Sequence, residues 1–221
     1  MSKIIAGSEV LAILNDLFRG INCFIAGGFA RYCATNEPFR REMDVDVFFP
    51  NIVEYDRAKR VCSKFLSLNA TAFGVKYIVR DDLPHLNLVR PLKYKETVTG
   101  GSVEDVLRNF DFTVCCIAIE KVDGTFSRTT ALPRFSSDCH EKYLIWNRFP
   151  ENIWRGHNRL IKYNKLGFSI LKSTFFVLVR EAWRTFTEIS LENLSSPSVN
   201  MISEMFSPKT FIANLDSYVI E

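Results

Sequence analysis

"FIAGGFARYCATNEPFRREMDVDVFF", residues 24–49, sets a glycine pair ahead of two aspartates that stand two positions apart. "NCFIAGG", residues 22–28, reads as a short strand running into a glycine turn, and "FARYCAT" as a helix. "MDVDVFF" alternates polar and apolar residues and reads as the next strand, closed by Pro50 and Asn51. On a strand, side chains at i and i+2 share a face, so Asp44 and Asp46 present two carboxylates about 7 Å apart, two rises of about 3.3 Å. Hard oxygen donors at that spacing suit Mg²⁺, and two such ions about 4 Å apart serve in-line phosphoryl transfer. Gly27 and Gly28, at a strand end and a helix start, let backbone N–H groups approach a phosphate.

Working outward, "EVLAILNDLF" carries a helical stripe of Val10, Leu11, Leu14 and Phe18, with Ser8 as its expected cap and Gly20 as its stop. "VEYDRAKRVCSKFLSL" has helical spacing, and "AFGVKYIV" and "HLNLVRP" follow as strands. His85 and Asn87 alternate with Leu86 and Leu88, which puts both polar groups on one sheet face. "SVEDVLRNF" opens with a Ser-x-x-Asp capping signature and leads into "DFTVCCIAIE", expected as one continuous strand, with a hairpin turn at Asp123-Gly124. Strands and helices alternate to about residue 130. Beyond it, "PENIWRGHNRLIKYNKLGF" and "STFFVLVREAWRTFTEI" read as helices, and residues from Asn193 as an irregular tail before a last short helix.

Composition narrows the function classes. At 221 residues and 47% hydrophobic, the chain is long enough for a packed core with a full site. A formal charge of +3 names no partner, and no apolar run approaches the 18 or so residues that span a bilayer, so the chain is expected in the cytoplasm. The six cysteines contain no Cys-x-x-Cys pair and are expected as reduced, buried thiols, and the three histidines are too scattered for a zinc site. The basic residues concentrate at 142–165, where Arg155, Arg159 and Lys162 fall on one helical face near Trp154 and Tyr163. Such a stripe suits a phosphate backbone with stacked bases, and equally a solvated helix face.

"GGFAR" followed by "MDVDV" resembles the DNA polymerase β-like nucleotidyltransferase superfamily, nearest the branch of CCA-adding enzymes and bacterial poly(A) polymerases. "FDFTVCCIAI" at 110–119 is similar to that branch's "RRDFTINALA" segment, with Arg108 displaced from the position before the aspartate, and "RLIKYNKLGFSI" at 159–170 resembles its "LRxxRFxxxLGF" helix. The resemblance implies an α+β fold: a mixed sheet flanked by helices over residues 1–132, then a helical nucleotide- and acceptor-binding region over 133–221. It implies that Asp44 and Asp46 bind two Mg²⁺ ions, that Gly27 and Gly28 hold the NTP, expected as ATP, and that Arg31 lies near its phosphates. It leaves Asp111 with two possible jobs, a third metal ligand or part of a ribose-recognition segment, beside the plain reading of an aspartate that ends a helix. Arg159 and Lys162 would contact nucleotide and RNA. The implied reaction is transfer of a nucleoside monophosphate to a hydroxyl, foremost an RNA 3′ end, including tRNA. A protein or small-molecule acceptor and a noncatalytic nucleotide- or RNA-binding module are the alternatives.

Overall fold

The computed structural model describes residues 7–35, 37, 40, 43–94, 97–150 and 153–192, with only the backbone described for Tyr94, Thr97, Ile153, Trp154 and 185–192. The tail expected from Asn193 lies outside these residues, as does the side chain of Trp154. Internal contacts divide the chain into two units, Met1–Ser136 and Ser137–Glu221.

The first unit begins with α1 (Gly7–Leu17), whose Val10 and Leu14 are buried. Gly7 and Ser8 already belong to this helix, so Ser8 sits in its first turn instead of capping it. Strand β1 (Phe24–Ala26) enters α2 (Gly28–Ala34), and β2 (Asp44–Phe48) enters α3 (Ile52–Cys62), which Asn51 caps by accepting a hydrogen bond from the Glu54 amide. The helix expected to reach residue 68 stops at Cys62. Leu66–Thr71 instead form β3, an edge strand whose six residues are all exposed. Strands β4 (Gly74–Ile78) and β5 (His85–Val89) follow, then a small hairpin of β6 (Lys93–Tyr94) and β7 (Thr97–Val98).

Helix α4 (Val103–Arg108) starts with the expected capping box, in which Ser102 and Asp105 satisfy each other's backbone N–H. The run expected as one strand from Asp111 is broken: Thr113–Cys115 form a 3₁₀ turn, and the strand, β8, spans Ile117–Val122. Cys115 and Cys116 therefore precede the strand, both buried. The hairpin from β8 to β9 (Thr125–Ala131) turns at Asp123 (φ 51°) and Gly124 (φ 80°), the pair of positive φ values that a type I′ turn requires.

These strands make one seven-stranded mixed sheet in the order β3-β4-β5-β2-β1-β8-β9, parallel only between β2 and β5. Val45, Val47, Leu86 and Leu88 form a buried face. Val10, Ile13 and Leu14 of α1 line a small cavity with Val45 and Leu86, placing that helix on this face. On the opposite face Phe24, Ala26, Phe48 and Ala118 pack under Val106 and Leu107 of α4. That cover ends before Asp44: Phe48 is 6% exposed, whereas the Asp44 side chain on the same face is 32% exposed. The sheet thus keeps part of one face open at the N-terminal end of β2.

Helix α5 (Phe135–His140) contains the boundary between the units, and in the second unit β10 (Tyr143–Leu144) pairs in parallel with β11 (Ser169–Ile170). Between them runs α6 (Ile153–Lys165), and α7 (Lys172–Glu192) follows. Leu160, Phe168, Leu178 and Ala182 are buried, and Tyr163 meets Phe168 edge-on at 5.9 Å. None of the six cysteines forms a disulfide, and burial raises the pKa of the Cys23 and Cys62 thiols to about 12.

Candidate active site on the open half of the sheet

The parallel register of β2 and β5 sets Asp44 beside His85 and Asp46 beside Asn87. Directly paired residues share a face, so the two polar positions of "HLNLV" and the two aspartates form one patch. Asn87 Nδ2 donates to Asp46 Oδ1 at 2.7 Å, which orients that carboxylate. His85 Nδ1 stands 3.9 Å from Asp44 Oδ1, an electrostatic neighbour beyond hydrogen-bond reach.

Lys76 of β4, paired in register with Asn87, belongs to the same face, and its Nζ donates to Asp44 Oδ2 at 2.6 Å. This residue was not foreseen from the sequence. A signal existed, since a lone lysine between Val75 and Tyr77, both buried, is unusual in a strand interior. What the sequence withheld was the strand order that brings β4 within reach of β2.

The glycine turn lies at the same end of the sheet. Strand β1 runs antiparallel to β2 with Phe24 opposite Phe48 and Ile25 opposite Val47. Beyond that pairing β1 runs through Ala26 into the turn, toward the end of β2 that carries Asp46 and Asp44. Gly27 has φ 83° and ψ −137° at the N-cap of α2, and its N–H donates to Ile117 O at 3.0 Å. A Cβ at Gly27 would meet the Phe110 ring at 3.2 Å, whereas one at Gly28 meets nothing within 4 Å. Gly27 is therefore committed to the turn, and Gly28 is the open member of the pair.

Asp111 follows Phe110 in the link between α4 and the 3₁₀ turn and is 6% exposed. It is near the glycine turn in the chain's path, yet among the described residues no three His, Cys, Asp or Glu side chains are grouped to hold a metal. Asp111 starts no strand. Arg31 is 2% exposed, with Nε donating to Glu37 Oε1 at 3.1 Å and a terminal nitrogen donating to Val114 O at 3.4 Å. It forms a buried ion pair, neither a surface one nor an exposed cation. In the second unit, Arg155 and Lys162 are exposed on α6 and Arg159 is half-buried.

Asp44 and Asp46 fit one Mg²⁺, an ion that takes one or two carboxylates and leaves its other positions to water and phosphate oxygens.

Residues 6–142, over half of the sequence, match the family model described as Gabija anti-defense 2 family protein. The chain belongs to the Gabija anti-defense 2 family. No curated protein matches this family member. Its fold is that of CCA-adding enzymes: it is similar to the CCA-adding enzyme of Thermotoga maritima complexed with tRNA, at 17% identity and a TM-score of 0.60 over 95% of this chain and 50% of that one. It is also similar to a CCA-adding enzyme complexed with CTP, at 17% identity and a TM-score of 0.62 over 95% and 51%, and to one with ATP, at 16% identity and 0.61 over 94% and 51%. The family member spans about half the length of these structures. Among its described residues no helix is long and apolar enough to cross a membrane.

Proposed function

We propose that this chain is a metal-dependent nucleotidyltransferase that moves a nucleoside monophosphate from an NTP, foremost ATP, to a hydroxyl, with an RNA 3′ end such as that of a tRNA as the leading acceptor. The observation that carries this reading is the pairing of Asp44 and Asp46 on the uncovered part of the sheet, beside the glycine turn at the start of α2. The basic residues Arg155, Arg159 and Lys162 of α6 support a nucleic-acid acceptor. The family's description, Gabija anti-defense 2, supports a role for this transfer in countering a defence system.

Asp44 and Asp46 would hold Mg²⁺, which supplies charge neutralisation on the nucleotide phosphates as bond order shifts. The acceptor oxygen forms a bond to the α-phosphorus, the bond from that phosphorus to the α,β-bridging oxygen breaks, pyrophosphate leaves, and the hydroxyl proton passes to water. Asn87 keeps Asp46 aimed through its 2.7 Å hydrogen bond. Gly28 leaves the backbone at the head of α2 open to a phosphate. Arg31, whose charge is spent on Glu37 and the Val114 carbonyl, holds α2 against the 3₁₀ turn and is assigned no phosphate contact.

Incubating the protein with each labelled NTP, Mg²⁺ and total RNA, then locating the label, tests the reading. Asp44→Asn or Asp46→Asn should lower transfer at least about a hundredfold with the fold intact. Near-normal transfer by either variant refutes the catalytic assignment. The second reading is a module that binds nucleotide without transferring it. That reading requires bound ATP and no labelled product.

A further inference from the structure

Lys76 is the side chain on the open face that the proposed chemistry leaves unexplained. Its backbone is pinned by Val75 and Tyr77, each buried on the opposite face, and by pairing with Asn87 on β5. From there its stem reaches over β5 to Asp44 Oδ2 at 2.6 Å. The Lys76 and Asp44 side chains are 33% and 32% exposed, so both are open to exchange with ions from solution. Asp46, two residues on, takes an amide donor from Asn87.

Oδ2 of Asp44 has a strong, charged donor, and a divalent cation seeking that oxygen must displace a positive charge first. An ammonium on a flexible four-carbon stem is well made for such a displacement, since it can swing without moving the strand that carries it. What it needs is another anion, and an NTP entering beside Asp44 brings three phosphates. We propose that Lys76 is the resident counter-cation of Asp44. It holds Asp44 while the site is empty, competes with free divalent cations for that carboxylate, and passes to the nucleotide phosphates when metal and NTP bind together. Metal and nucleotide then bind cooperatively, because each completes what the other leaves unpaired. This rests on the nucleotidyltransferase reading of the site.

The test uses the full chain and two probes that need no turnover. Mn²⁺ alone is titrated by electron paramagnetic resonance without nucleotide, and MgATP binding is followed separately by calorimetry. Lys76→Met should bind free Mn²⁺ about fivefold more tightly than the parent, the worth of a part-exposed ion pair of about 1 kcal/mol, and should bind MgATP about fivefold more weakly. Lys76→Arg, which keeps a charge at the carboxylates, should bind Mn²⁺ within about twofold of the parent. In an Asp44→Asn background the Lys76→Met change should no longer tighten Mn²⁺, because the pair is already broken. A purely structural lysine cannot move two affinities in opposite directions. Unchanged or weaker Mn²⁺ binding in Lys76→Met, or unchanged MgATP binding, overturns the proposal while the nucleotidyltransferase reading stands. A parent protein that binds neither Mn²⁺ nor MgATP overturns both.

Discussion

Replacing Gly27 and Gly28 one at a time by alanine should separate a glycine that builds the turn from a glycine that leaves room for a ligand. Gly27 has φ 83° and ψ −137°, a combination an L-residue reaches only with strain. That strain costs about 1–3 kcal/mol. The new methyl also meets the Phe110 ring at 3.2 Å, and this ring cannot retreat freely because it packs edge-on against Phe48 at 5.9 Å. Overpacking of this kind adds about 1 kcal/mol or more. The sum of about 3 kcal/mol corresponds to a melting temperature lowered by about 6–12 °C for a chain of this size. At Gly28, the first residue of α2, a Cβ meets nothing within 4 Å, so Gly28→Ala should melt within about 2 °C of the parent. Its effect should appear in MgATP binding, where the methyl stands in the phosphate's path. Thermal unfolding by circular dichroism, with calorimetric MgATP titration of each folded variant, reads both. If Gly27→Ala melts like the parent, the strained turn is not what the backbone geometry says it is. If Gly28→Ala binds MgATP normally, the turn does not receive the nucleotide.

Arg31→Leu should destabilise the protein by about 3–5 kcal/mol in a denaturant titration, because it leaves the Glu37 carboxylate buried without its partner; a stable variant that merely loses MgATP would instead restore Arg31 to the phosphates. Reversing Arg159 and Lys162 to Glu should weaken RNA binding and flatten its dependence on log salt by up to about two counterions, measured by fluorescence anisotropy, while MgATP binding holds. An unchanged affinity and slope would make the α6 stripe a solvated face and move the acceptor to a protein or small molecule.

Much of the sheet was legible because it depends on local signals. Alternation in "MDVDVFF" and the glycine pair place β1, α2 and β2 within a few residues of their observed limits, and Ser102 with Asp105 announces α4. The errors arise where tertiary packing overrides the local pattern. "DFTVCCIAIE" is apolar throughout, and nothing in its periodicity distinguishes a buried 3₁₀ turn at Thr113–Cys115 from the strand that follows. "KFLSL" continues a helical spacing of apolar residues, yet hydrogen bonding to β4 claims it as an edge strand. Arg31 was placed by its distance from Gly28, whereas in the structure its side chain is paired with Glu37, beyond the end of α2. Lys76 shows the same limit at the site itself. A period of two says which residues of one strand share a face, and only the strand order says which strands become neighbours.

That order also separates the charges of the site by their place in the sheet. The aspartates belong to β2, the central strand, flanked by β1 and β5 and buried on its other face through Val45 and Val47. Lys76 belongs to β4, whose outer neighbour is a strand with no buried residue. Substitutions along the β3–β4 margin can therefore retune how tightly the site takes a metal while the acidic centre and the core stay as they are. The fold in this way offers an anion anchored at its middle and a cation adjustable from its rim.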